Sequence, residues 1–92
     1  MIKSFKHKGL EALFKKGDTS GVQQSHVKKL RNIMARLDGA TVIDDMRYPG
    51  SNLHPLKGKL KGHYAVDVSG NYRVIFAFED GDTEMVDYLD YH

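Results

Sequence analysis

The 92-residue chain has no cysteine, so it can build neither a disulfide framework nor a cysteine-ligated zinc site. A reducing, cytoplasmic location is the expectation that fits. No apolar run approaches the ~20 residues needed to cross a bilayer, and no membrane partner is expected. The opening residues, MIKSFKHKGL, carry charge but no apolar h-region, so they do not read as a signal peptide. Internal repeats, linkers and low-complexity segments are lacking too, and a single domain over residues 1–92 is expected. Strong net charge is also missing: a balance of +2 does not decide the partner. The distribution says more. Lysine and arginine gather in residues 3–16, 28–36 and 57–61, whereas acids gather in the last fourteen residues. A basic face that meets phosphates fits this layout, and so do solvated helix faces for the first two clusters. With 40% apolar and 28% charged residues, the composition is that of a folded soluble domain.

Periodicity supplies the architecture. Residues 2–5 suggest a short first strand. Leu10, Leu13 and Phe14 share one helical face, and Gly17 follows as a C-terminal stop. Ser20 and Gln23 have capping-box spacing, which predicts a second helix beginning near there. Val27, Leu30, Ile33, Met34 and Leu37 continue it as an apolar stripe that Gly39 ends. The short connection at residues 17–21 makes the helices an antiparallel pair. Residues 40–53 show no period, and Pro49-Gly50 marks a turn. From His63 the period becomes two. Tyr64, Val66 and Val68 share a face with Asp67 and Ser69 opposite, and after Ser69-Gly70-Asn71 the residues Tyr72, Val74, Phe76 and Phe78 share a face. Asp80-Gly81 is a hairpin signal, and residues 83–91 form a last strand with Val86 and Tyr88 in the core. The expected fold is α+β, in the order β-α-α-β-β-β, with a two-helix hairpin on one face of an antiparallel sheet.

That alternation bears on chemistry. If Tyr72, Val74, Phe76 and Phe78 lie under the helices, Arg73 projects from the open face. Tyr91 lies opposite Val86 and Tyr88, so it points the same way, while the direction of His92 is undetermined. His54 and Lys57 sit on the loop entering the sheet. Imidazoles, a phenol and two cations are what a metal-free nuclease needs around a phosphodiester. Taken singly, each residue has a plainer explanation. His54 precedes a proline on a loop, Lys57 stands among Lys59 and Lys61, Asn71 belongs to a turn, and Tyr91-His92 is a chain end. The case rests on their coincidence. A metal site from His54, His63 and His92 matches no zinc spacing, so no metal or other cofactor is expected. His7 and His26 fall on predicted helical segments, and no catalytic role is expected of them.

Leu53-His54-Pro55-Leu56-Lys57-Gly58, Asn71-Tyr72-Arg73-Val74-Ile75-Phe76 and Asp90-Tyr91-His92 together resemble the HigB-type toxins of the RelE/ParE superfamily. The resemblance covers essentially the whole chain. It implies a ribosome-dependent mRNA endonuclease that inhibits translation and is neutralised by a HigA-like helix-turn-helix antitoxin. The partners implied are that antitoxin, the ribosomal A site and mRNA, with DNA met only through the antitoxin. By the same resemblance, catalytic roles fall on His54, Lys57, Arg73, Asp90, Tyr91 and His92, and Asn71 contacts the nucleotide. Lys57, Arg73, Lys59 and Lys61 are the expected RNA-binding cations. Residues 41–52 match less well, which puts antitoxin contacts there in question. A ParE-like inhibitor of DNA gyrase, without enzyme activity, is the alternative; it needs neither a histidine pair nor a terminal Tyr-His. A DNA-binding module is a third reading, but no recognition-helix pattern is present.

Overall fold

The computed structural model describes residues 1–90. Helix α1 (Lys8–Lys16) starts where His7 Nδ1 accepts a hydrogen bond from the Leu10 amide at 3.1 Å. It ends at Gly17, whose φ of 70° is left-handed. Helix α2 (Val27–Gly39) continues from a 3₁₀ turn at Gln24–His26. Ser20 does not cap it, contrary to the capping-box spacing. The helical segment begins only at Gln24, and Asp18 Oδ1 takes both the Ser20 amide and the Ser20 hydroxyl at 2.9 and 2.8 Å. Those bonds, the backbone one first, hold the Asp18 carboxyl below its usual range.

The sheet is antiparallel and its strands run in sequence order: β1 (His54–Pro55), β2 (His63–Asp67), β3 (Tyr72–Glu79) and β4 (Asp82–Asp90). The last three match the expected meander. The expected first strand does not form a ladder. Residues 1–6 run parallel to β4 and touch it at two bridges, Ile2 with Thr83 and Phe5 with Val86. A bulge lies between those bridges: β4 places two residues, Met85 and Val86, between Glu84 and Asp87 where β3 places one, Phe76, between Ala77 and Ile75. Met85 takes up the extra residue at φ 55°, and its amide bonds the Ser4 hydroxyl at 2.9 Å. The same bulge places Thr83 and Val86, three residues apart, both at zero exposure.

Leu10 and Leu13 of α1 and Leu30, Ile33, Met34 and Leu37 of α2 pack on Val66, Val74, Phe76, Val86 and Tyr88. The helices therefore cover the sheet face that carries Val74 and Phe76. The opposite face, with Arg73, Ile75 and Ala77, is left to solvent and to the connection between β1 and β2. One close contact sets the helix entry. A Cβ on Gly21 would lie 2.6 Å from the Gly9 Cα, so the two backbones touch where the α1–α2 connection folds back.

Gly9→Ala should therefore lower stability by ~1–3 kcal/mol through that clash. Gly39→Ala meets nothing within 4 Å and should be neutral or gain up to ~1 kcal/mol. Urea unfolding of both variants checks the pair. Burial also lifts the Tyr48 and Tyr88 hydroxyls above the ordinary 10.0. Their contribution to stability is constant below pH 10 and falls above it, because the unfolded chain releases its protons first. Denaturation midpoints measured across pH 8–11 should show that loss only at the alkaline end.

Candidate active site

Strand alternation and strand register together assemble the site. On β3, Arg73 faces away from the helices because its neighbours Tyr72 and Val74 face toward them. His54 pairs with Ala65 across β1 and β2, and Ala65 pairs with Ile75, so His54 shares the open face with Ile75 and Arg73. The small Ala65 between them lets the two long side chains meet. Arg73 Nη1 comes within 3.5 Å of His54 Nε2, at the outer limit of a hydrogen bond.

Two residues complete a ring around that meeting point. His54 Nδ1–H donates to the carbonyl oxygen of Asn52 at 2.9 Å. A carbonyl accepts only, so in the neutral ring the lone pair lies on Nε2, on the side of Arg73. The Asn52 side-chain amide donates to Asp67 Oδ2 at 3.3 Å. Asp67 Oδ1 closes the ring at 3.4 Å from Arg73 Nε, an ion pair rather than an aligned hydrogen bond. Asp67 is itself fixed through its backbone amide, which donates to Ser51 O at 2.8 Å. Asn52 takes φ 47°, a left-handed value that asparagine tolerates better than most residues. Sequence reasoning named neither Asp67 nor Asn52 as functional. The signal for Asp67 was available, since alternation with Val66 and Val68 already sets it on the Arg73 face.

The remaining expected residues lie farther apart. Lys57, Lys59 and Lys61 are exposed along the β1–β2 connection, at the end of the sheet where β2 begins. Arg73 stands at the other end, opposite Asp67, with Asn71 exposed in the hairpin beside it. Asp90 is the register partner of Tyr72, so by alternation it belongs to the helix-side face and not to that of Arg73. Tyr91 and His92 lie outside the described residues. His26 is a core histidine: its ring packs edge-on against Tyr72 and Tyr88, and its Nδ1 bonds the Tyr88 hydroxyl. With Gln23, which donates to the Tyr72 hydroxyl at 2.8 Å, it braces the strand ends that carry Arg73 and Asp90. Among the described residues no group of three or more His, Asp or Glu could hold a metal ion.

The fold is that of YafQ from E. coli strain BL21(DE3), with a TM-score of 0.67 over 98% of this chain and 91% of that one, at 17% identity. That defines the class of fold: a small α+β domain with two helices on one face of an antiparallel sheet. The family model described as "RelE-like toxin of type II toxin-antitoxin system HigB" matches residues 3–92. The chain belongs to this family and is the toxin component of such a system, with an antitoxin as its partner. Among its relatives, "Endoribonuclease HigB" of Proteus vulgaris is 45% identical over 92 residues, covering all of both chains. "Toxin HigB-1" of Vibrio cholerae serotype O1 is 33% identical over 94 residues, covering all of this chain and 98% of that protein.

The ring generates one prediction. Asp67→Asn keeps the shape but removes the charge that orients Arg73, and should lower RNA cleavage by about tenfold to a hundredfold with little change in stability. In an Arg73→Ala background the same change should add nothing. A double-mutant cycle on turnover and on the urea midpoint separates this from a fold effect.

Proposed function

We propose that this toxin is an endoribonuclease that cleaves mRNA on the ribosome, using the 2′-hydroxyl as an internal nucleophile. The observation that carries the proposal is the meeting of a guanidinium with the lone-pair nitrogen of an oriented imidazole on an open sheet face. His54 Nε2 is aimed to accept the 2′-hydroxyl proton as the 2′-oxygen attacks phosphorus. Arg73 offsets the charge that develops on the phosphoryl oxygens, and Lys57 holds the neighbouring backbone. The bond from phosphorus to the 5′-oxygen breaks, which leaves a 2′,3′-cyclic phosphate on one fragment. A proton is then needed on the departing 5′-oxygen, and Tyr91 and His92 are the groups assigned to deliver it. Asp90 acts through that terminal pair, and Asn71 contacts the nucleotide. The gyrase alternative is not favoured, because the 45% identical relative bears the name of an endoribonuclease.

Ribosome dependence fits the openness of the site. A shallow sheet face cannot by itself hold flexible RNA in line, whereas an A site that pre-orders the mRNA lowers the orientational cost. The lysines of α1, α2 and the β1–β2 connection supply the electrostatic contacts to ribosomal RNA. The antitoxin is expected to carry a helix-turn-helix domain of the HigA type, and the toxin acts in the cytoplasm.

Mapping of mRNA 5′ ends on translating ribosomes is the test. Wild type should create new in-codon ends. His54→Ala should slow cleavage by ~10²–10⁴-fold and Arg73→Ala by a similar ~10²–10³-fold, with both proteins still folded. Growth arrest with no new ends would remove the nuclease reading and restore gyrase inhibition. Ribosome binding should weaken steeply as salt rises, and binding that is indifferent to salt would count against the lysine contacts.

A further inference from the structure

The open face carries a second feature beside the His54–Arg73 couple. Among the described residues six large apolar side chains are exposed, and three of them, Leu60, Met85 and Leu89, converge on one hollow. The hollow measures about 80 Å³ and is floored by the buried Ile75, with His63 and Asp87 also lining it. Apolar side chains scattered singly need no explanation, but a cluster on one open face indicates something that covers it.

Each wall residue is delivered separately. Leu89 is the cross-strand partner of Arg73 on β4, and Ile75 is the next residue of β3 on the same face. Leu60 arrives from the 3₁₀ turn at Gly58–Leu60. Met85 is the bulge residue, held at φ 55° in a backbone conformation that costs a non-glycine residue stability. Such bulges re-aim side chains near sites.

From this placement we infer that the hollow formed by Leu60, Ile75, Met85 and Leu89 seats the face of a nucleobase flanking the scissile phosphodiester. The inference rests on the endoribonuclease reading of the same face. Continuity selects RNA as the occupant, because Leu89 and Ile75 are the neighbours of Arg73 on the same face, within one nucleoside's reach of a phosphate held there. The charge at the margin agrees. Lys6 lies at the hollow, 4.0 Å from Asp87, and the exposed Lys59 and Lys61 flank Leu60 in sequence. A polyanion entering here meets cations on both sides of an apolar floor. Aliphatic and thioether groups contact the flat face of any base, so the hollow orients the nucleotide without reading its edge. Identity at the cut is then left to polar contacts elsewhere.

The experiment uses wild-type toxin and ribosomes programmed with a short mRNA that carries one abasic ribonucleotide on either side of a mapped cut. One of the two abasic positions should slow wild-type cleavage by roughly tenfold or more. Leu60→Ser combined with Met85→Asn should slow cleavage of the intact mRNA by a similar factor. Both positions are exposed, and asparagine tolerates the positive φ at residue 85. On the abasic mRNA the variant should show no further loss. Leu89→Gln is an independent variant expected to behave alike. Losses that multiply, or variants that cut intact mRNA at the wild-type rate, overturn the inference. Variants that lose antitoxin binding while cutting normally overturn it as well and give the hollow to the antitoxin. Failure of wild type to cut intact mRNA would be seen before any variant is tested and would strike the endoribonuclease reading itself.

Discussion

Everything in this domain depends on the two-residue alternation of β3. Val74 and Phe76 are fully buried under α1 and α2, and a slip of one residue would put them in water. Truncating a buried phenylalanine costs ~3–5 kcal/mol, a large share of what so small a domain has to lose. That energy fixes the register, and the register holds Arg73, Ile75 and Ala77 on the open side. The core thus places the cation of the site without touching it. His26 and Gln23 reinforce this from the helix side by gripping Tyr88 and Tyr72, the residues flanking the catalytic end of the sheet.

The open face divides its work between charge and apolar surface. At one position Asp67 and Asn52 hold Arg73 and His54 in mutual orientation; next to it, Ile75 and Leu89 leave an apolar hollow. The 48–52 segment ties these to the helices. Arg36 of α2 lies over the Tyr48 ring at 4.5 Å, and Ser51, three residues on, accepts the Asp67 amide. Three of the four ring contacts are long, between 3.3 and 3.5 Å, and Arg73 and Asp67 keep about a quarter to a third of their side-chain exposure. Such a couple contributes little to stability. Its value lies in orientation, and it can tighten when a phosphate arrives.

Much of this was legible in the sequence because burial imposes period. The stripe from Val27 to Leu37 and the alternation from Tyr64 to Phe78 both report which side chains meet the core, and Arg73 followed from them by elimination. What escaped was local and non-periodic. β1 has two residues, too few to show any period, and it exists only because it pairs with β2. The bulge at Met85 breaks the alternation of β4, so Thr83 was not foreseen in the core. The Ser20 cap failed because the helical segment begins only at Gln24, and Ser20 instead donates its amide and hydroxyl to Asp18. Lys57 was read from its place on the loop entering the sheet and Asp90 by resemblance alone; the strands set Lys57 toward the end of the sheet where β2 begins and Asp90 on the helix-side face.

The central claim is that a 2′-hydroxyl, activated at His54 and attacking a phosphate held by Arg73, does the cutting. Replacing the single ribonucleotide on the 5′ side of a mapped cut by its 2′-deoxy counterpart tests it most directly. Cleavage at that bond should disappear while cuts at unmodified codons in the same mRNA persist. Cleavage of the 2′-deoxy bond at an undiminished rate would contradict it.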